Sequence, residues 1–321
     1  MRNDICFQTS TCGIVKTMPF RTRLVGLFAA LAVGLPLAAA AQASGALYGV
    51  TLDRVTKPER LAAALSALPE RATTRIYFDT HEPASLYKPA LTQLHPVSGI
   101  MGELLDSSQE KAISAEALKS RVEEYTAGLG GLVDIWEIGN EVNGNWTGPY
   151  ETVAAKLTQS YEVVHAAGGR TALTLYANAF GPEHCGDGES ELTPVQFSER
   201  YVSPTVAAGL DHVLLSYYPT QCGGRLPSNA EVKVQLEALH AIYPHAALGF
   251  GEVGLPRPAS RKTQGEAETI MRWAYSLSPG LPYYEGGYFW WYGYQDILKK
   301  KARLTTVFKE ALTEEAAALG A

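Results

Sequence analysis

From residue 46 onward the chain alternates short, nearly continuous apolar runs with longer segments of helical periodicity. Eight runs stand out: Ala46–Asp53, Thr73–Asp79, Ser98–Asp106, Val133–Val142, Thr171–Phe180, Asp211–Pro219, Ala246–Leu255 and Gly287–Tyr294. They are rich in β-branched and aromatic residues and apolar at successive positions, the pattern of parallel strands buried on both faces. Helical segments fill the gaps. Pro58–Leu68 opens on a proline, and Ser114–Leu129 opens on a serine cap and ends at Gly130-Gly131. Glu151–Ala167 stops at Gly168-Gly169. Pro194–Ala208, Asn229–Tyr243, Thr263–Leu277 and Leu304–Leu319 follow, and the stretch Pro83–Pro96 carries the weakest helical signature. Strand and helix units in series predict an α/β fold, a (β/α)₈ TIM barrel, rather than a doubly wound sheet. No internal repeat and no low-complexity linker divides residues 44–321, so they read as one domain.

The first 43 residues have a different character. Arg21 and Arg23 precede an apolar run from Leu24 to Ala41, and Ala41-Gln42-Ala43 supplies a small-x-small cleavage pattern. This reads as an N-terminal signal peptide starting at Met18 and cleaved after Ala43, which makes the mature protein secreted or periplasmic. The run is also about long enough to anchor in a thin bilayer, but Pro36 and the cleavage pattern favour removal. Cys6 and Cys12 leave with that segment. Cys185 and Cys222 remain, an even pair that in an exported chain is a disulfide candidate, with two free buried thiols as the alternative.

Composition narrows the function by exclusion. The chain is 46% apolar and 19% charged, an ordinary globular balance, and its net charge is −6. No basic face points to nucleic acid. No phosphate loop, nucleotide fingerprint or metal-binding H-E-x-x-H motif occurs. His81, His184 and His212 show no ligand spacing and read as surface or loop histidines, so neither a metal nor another cofactor is expected.

The chemistry concentrates where barrel enzymes carry it, at the C-terminal ends of strands. The fourth run ends Trp136-Glu137-Ile138-Gly139-Asn140-Glu141, and the seventh ends Gly249-Phe250-Gly251-Glu252. A carboxylate at the mouth of an apolar strand is costly unless it is used or paired. Retaining glycoside cleavage needs two such groups about 5–5.5 Å apart, one to attack the anomeric carbon and one to manage the leaving-group proton. Strands four and seven face each other across an eight-stranded mouth. Glu141 as acid/base and Glu252 as nucleophile are therefore the candidate catalytic pair. Each could instead be a structural acid, Glu141 at a helix start and Glu252 in a salt bridge. Glu137 shares strand parity with Glu141 but sits deeper, and reads as half of a buried ion pair such as one with an arginine.

These residues resemble clan A glycoside hydrolases, which place an Asn-Glu acid/base on strand four and a Glu nucleophile on strand seven. Within the clan, Arg75-Ile76-Tyr77-Phe78-Asp79, Gly139-Asn140-Glu141-Val142-Asn143-Gly144 and Ser216-Tyr217-Tyr218-Pro219 resemble motifs of family 53 endo-β-1,4-galactanases. Trp136-Glu137-Ile138 is similar to family 39, and Gly287-Tyr288-Phe289-Trp290 fits the clan's strand-eight tryptophan. The resemblance implies that Asn140 bonds the sugar 2-hydroxyl, that Tyr217 or Tyr218 donates to Glu252, that Arg75 keeps Glu252 ionised, and that Trp290 is a stacking floor. Asp79, Asp106, Asn143, Trp146 and Asn178, at strand ends or just beyond, are further sugar-contact candidates. The bland readings are a core-paired Arg75, capping or loop roles for Asn143 and Asp79, and packing roles for one of each adjacent pair, Tyr217/Tyr218 and Trp290/Trp291, because neighbours on a strand face opposite ways.

The expected function is exported, retaining hydrolysis of β-linked glycans through a covalent glycosyl-enzyme intermediate. The expected partner is an oligo- or polysaccharide, with no nucleic acid, no stable membrane insertion after signal removal, and a monomeric state. The alternatives are a barrel that binds glycan without cleaving it and a transglycosylase using the same two glutamates.

Overall fold

The computed structural model describes residues 45–178, 180, 185 and 191–320. The expected signal peptide and His184 lie outside these residues. Eight parallel strands close into a barrel in chain order: β1 (Leu47–Leu52), β2 (Thr73–Tyr77), β3 (Gly99–Glu103), β4 (Ile135–Gly139), β5 (Thr171–Tyr176), β6 (His212–Tyr217), β7 (Ala247–Val253) and β8 (Tyr284–Trp290). This is the predicted (β/α)₈ TIM barrel. The eighth strand begins three residues earlier than the apolar run, because Gly286 and Gly287, at φ 77° and 103°, carry the strand through an irregular register that the run does not reveal.

The helices between the strands are α1 (Pro58–Leu65), α2 (Ala84–Leu94), α3 (Ser107–Glu110), α4 (Ala115–Leu129), α5 (Tyr150–Ala166), α6 (Pro194–Tyr201), α7 (Pro204–Gly209), α8 (Asn229–Ile242), α9 (Gln264–Tyr275) and α10 (Thr305–Leu319). The weak segment Pro83–Pro96 is helical after all, held by burial of Tyr87, Leu91 and Leu94. The single helix expected over Pro194–Ala208 is two. Pro204 cannot continue a helix arriving from Val202, and Ser203 instead caps a new one by accepting from the Val206 amide.

Most of the apolar core lies between strands and helices. A separate layer of Leu47, Met101, Ile135, Ala172, Leu214 and Phe289 fills the barrel interior. Side chains alternate along a strand, so two residues beyond Met101, Ile135, Ala172 and Leu214 the same inward face carries Glu103, Glu137, Thr174 and Ser216. The interior thus changes from apolar to polar toward the C-terminal end. At the opposite end His212 is fully buried rather than a surface residue, with Nδ1 2.7 Å from Glu285 and Nε2 2.7 Å from Arg170. Among the described residues no helix is long and apolar enough to cross a membrane.

Candidate active site

Glu141 stands two residues beyond β4, in the left-handed region at φ 48°. A non-glycine residue stays there only when its surroundings over-determine the conformation. Two hydroxyls hold the carboxylate. Ser107, the first residue of α3 after β3, donates at 2.9 Å, and Ser216 on β6 donates at 2.5 Å. The amide of Ser107 donates to Oδ1 of Asn140 at 3.1 Å, so the ends of β3 and β4 are bound together next to the acid. Nδ2 of Asn140 is buried and has no hydrogen-bond partner among the described residues.

Glu252 occupies the end of β7, where the register with β6 slips so that Leu215 pairs with Phe250 and Ser216 with Glu252. Gly251 is the residue passed over. A Cβ there would stand 2.6 Å from Thr174 Oγ1 and 2.9 Å from Leu214 Cβ, so only glycine fits. Nη1 of Arg75 donates to Glu252 Oε2 at 2.9 Å, and the Tyr218 hydroxyl donates to Oε1 at 2.5 Å. Arg75, on β2, is fully buried and serves three carboxyls. Its Nε and Nη2 reach Glu137 at 2.6 and 3.2 Å, and Nη2 lies 3.1 Å from Glu103. Thr174 donates to Glu137 at 2.5 Å, and the guanidinium lies 5.3 Å from the centre of the Trp291 ring. Arg75 is therefore both a core-paired arginine and a neighbour of Glu252, and Glu137 is its buried partner.

Burial dominates the electrostatics. It raises the Glu141 carboxyl above its usual range, opposed by the hydroxyls of Ser216 and Ser107. Glu252 rises further, to about 8, because burial and the nearby Glu141 outweigh Arg75 and the Tyr218 hydroxyl. Arg75 does lie beside Glu252, but the expectation that it keeps Glu252 ionised is corrected: one guanidinium divided among three carboxyls does not offset the loss of water. Glu103, fully buried, is pushed well above the carboxylate range, first by burial.

Glu141 and Glu252 line one cavity of about 710 Å³ at the C-terminal mouth of the barrel. Asp106, Trp146, Tyr176, Glu191, Tyr218, Gln221, Leu255, Pro256, Trp291 and Tyr292 complete its wall. Of each ambiguous aromatic pair the second member faces the cavity. Tyr217 points outward, donating to the Arg225 carbonyl at 2.9 Å and packing edge-on against Phe180. Trp290 is fully buried, with Nε1 3.0 Å from Asp296, and Trp291 takes the wall position foreseen for Trp290. Asn143 is not a wall residue either. Its side chain clamps the amide and carbonyl of Tyr176 at 2.7 and 2.9 Å, tying the end of β4 to β5. Asp79 accepts from the His81 amide at 2.9 Å in a local turn away from the cavity. Cys185 and Cys222 form a disulfide between the segment after β5 and the turn after β6 that follows Tyr218.

Ser107, Ser216 and Glu103 were not singled out as site residues from the sequence, and Trp291 entered only as the alternative to Trp290. Ser216 carried a signal, since it shares parity with Tyr218. Glu103 carried one too, as a carboxyl inside an apolar run like Glu137. Ser107 carried none. Among the described residues no group of three or more His, Cys, Asp or Glu side chains is arranged to hold a metal ion.

No family model matches the sequence, and no curated protein matches it. Solved structures do share its fold. A family 10 xylanase from Bispora sp. MEY-1, solved with xylobiose, is 11% identical with a TM-score of 0.56, over 82% of this chain and 96% of that one. An endo-β-1,4-mannanase from Thermotoga petrophila is 9% identical with a TM-score of 0.55, over 85% and 77%. A family 5 glycoside hydrolase from Prevotella bryantii is 14% identical with a TM-score of 0.53, over 83% and 87%. At these identities the likeness is one of fold. The families named are 10 and 5, and the finer likeness to families 53 and 39 stays at the level of the sequence motifs.

Proposed function

We propose that this protein is an exported glycoside hydrolase that cleaves β-linked glycans with retention of configuration. The observation that carries the reading is the pairing of Glu141 and Glu252, delivered from the ends of β4 and β7 into one aromatic-walled cavity. Similar barrels that include named xylanases and a mannanase support it at the level of fold. The leader-like first 43 residues and the Cys185–Cys222 disulfide both suit an oxidising, exported setting.

In the first step Glu252 attacks the anomeric carbon while Glu141 gives its proton to the departing glycosidic oxygen. An ester between Glu252 and the sugar forms as the glycosidic bond breaks. In the second step Glu141, now a carboxylate, takes a proton from water, whose oxygen displaces Glu252. Arg75 and Tyr218 orient Glu252 and spread its charge, whereas Glu141 is held by neutral hydroxyls only. The starting state needs one proton on the pair. Burial raises both carboxyls, Glu252 the further, so the pair retains one proton near neutral pH. The reaction requires that proton on Glu141 when the sugar is bound, and the Arg75 cation beside Glu252 favours the charge there. Trp291 and Trp146 offer apolar faces for sugar rings.

The test is hydrolysis of a panel of β-glycans by the chain from Ser44. Glu252→Ala is expected to abolish turnover, and azide is expected to restore it by forming a glycosyl azide of inverted configuration. Following the released anomer by NMR reports retention directly. Wild-type rates in the Glu252→Ala variant would overturn the nucleophile assignment, and tight binding without products would mark a binding protein.

A further inference from the structure

The loops that leave β7 and β8 build one side of the cavity mouth, and their charge is unlike the rest of the chain. The β7 loop contributes Leu255 and Pro256 to the wall, and the β8 loop contributes Trp291 and Tyr292. The buried carboxylate of Asp296 joins them. Asp296, on the β8 loop, accepts from the Ala259 amide of the β7 loop at 2.9 Å and from the indole of Trp290, the last residue of β8, at 3.0 Å, and Tyr292 donates to the Pro256 carbonyl at 3.3 Å. The two loops therefore form one rim.

That rim is basic. Arg257, Arg261 and Lys262 follow β7, and Lys299, Lys300 and Lys301 follow β8; all six are exposed. Residues 254–263 contain no acid, and the single acid of residues 291–304 is Asp296, already consumed inside. None of the six forms an ion pair among the described residues. Elsewhere Lys233 pairs with Glu237 and Arg272 with Glu310, each at 2.5 Å. Exposed cations without an ion pair among the described residues, such as Lys57, Arg60, Lys88, Lys111 and Arg200, are scattered along the chain rather than gathered on two adjoining loops. In a chain of net charge −6 this leaves a concentrated positive field beside the cavity. The cavity wall is the opposite. It carries Asp106, Glu141, Glu191 and Glu252, and among the described wall residues no Lys, Arg or His.

We propose that the β7–β8 rim is a contact surface for an acidic glycan, so that the enzyme takes a chain with a neutral sugar at the cleavage point and anionic groups on the units lying over the rim. An anionic sugar inside the cavity would face a wall of carboxyls with, among the described wall residues, no Lys, Arg or His, and the same group one or more units away meets the exposed cations of the rim. Continuity of the rim with the Trp291 and Tyr292 wall favours the substrate over other polyanions as the occupant. The inference rests on the glycosidase reading, and binding separates the two.

The experiment uses a neutral β-glycan and its lightly carboxymethylated derivative, which leaves unsubstituted stretches for the cavity. Binding is measured with the Glu252→Ala protein, and hydrolysis with the wild type. The derivative is expected to bind more tightly, with an affinity that falls as salt rises. Reversing Lys299, Lys300 and Lys301 to Glu together is expected to raise its KM by roughly tenfold with kcat unchanged and to leave the neutral glycan unaffected. The Lys→Gln triple variant gives a smaller shift in the same direction and controls for folding. Equal effects on both glycans, or none, overturn the proposal. So does loss of binding to phosphatidylglycerol vesicles with unchanged glycan KM, which assigns the rim to a membrane surface. Salt-sensitive binding of the derivative without hydrolysis of either glycan upholds the rim and sinks the glycosidase reading instead.

Discussion

Arg75 and Glu252 are 177 positions apart in the chain and meet at 2.9 Å inside the barrel. The same guanidinium holds Glu137 through Nε and Nη2, so one side chain ties β2 to both β4 and β7. Removing a cation from such a cluster leaves buried carboxylates uncompensated. Arg75→Gln is expected to cost about 3–5 kcal/mol of stability, read by denaturant unfolding. Arg75→Lys keeps the charge but not the fork. It is expected to fold and to lose about 10²-fold in kcat through misplacement of Glu252. A Lys variant with wild-type kcat would show that Arg75 supplies charge alone.

The adjacent tyrosines separate chemistry from packing. Tyr218→Phe removes the phenol that donates to Glu252 and is expected to lower kcat by about 10- to 100-fold, the worth of a hydrogen bond to a charged group. Tyr217→Phe loses a bond to the Arg225 carbonyl and is expected to cost about 1 kcal/mol of stability with kcat unchanged. Steady-state kinetics and thermal melts on both variants decide the assignment, and a reversed pattern would contradict it.

The tryptophans form a second such contrast. Trp291→Ala is expected to raise KM roughly tenfold, or about 1.4 kcal/mol of lost stacking, while the fold persists. Trp290→Phe deprives buried Asp296 of its indole donor and is expected to cost about 1–3 kcal/mol of stability. Because Asp296 joins the β7 and β8 loops, that loss shows first as faster amide exchange at Ala259.

The pH dependence of activity follows from the carboxyl pair. Glu141 is raised by burial and Glu252 to about 8, and the active form carries one proton between them. The profile of kcat/KM is expected to be a bell whose acid limb lies above 4.5, the usual glutamate value, and whose alkaline limb lies near 8. Both values belong to the pair rather than to either residue. An acid limb at or below 4.5 would mean that water entering the cavity cancels the effect of burial.

Stability is expected to carry its own pH signature through Glu315 on α10. This carboxyl is fully buried, neither oxygen has a hydrogen-bond partner among the described residues, and burial pushes its pKa well above 4.5. A carboxyl with a raised folded pKa holds its proton more tightly in the native state than in the unfolded one. Its contribution is intact below the unfolded value and is lost as pH rises through the folded value. Glu315→Gln cannot ionise, so its Tm relative to wild type is expected to climb as pH rises from 4.5 into the alkaline range. A constant Tm difference over that range would rule out the buried neutral acid.

Local chemistry along the chain determined the repeating architecture. Apolar runs buried on both faces, Ser114 as a cap and Gly168-Gly169 as a stop are decided within a few residues, so the eight strands and most of their helices could be read directly. Glu141 and Glu252 were legible as candidates because each breaks an apolar run at its end, where a carboxylate is costly unless used. Which neighbours those acids have was decided only by closure of the barrel. Parity predicts facing only in an unbroken strand, and the slip at Gly251 resets it in β7. In β8 parity holds from Glu285 through Phe289 to Trp291, but which of the two faces points inward is fixed only by closure of the barrel. Arg75 comes from β2, Glu103 and Ser107 from β3 and the turn after it, and Ser216 from β6, and no local pattern links the three strands. The protonation of the site is likewise a tertiary quantity. The pKa of Glu252 sums the loss of water with every charge that folding brings near it, and those distances exist only in the closed barrel.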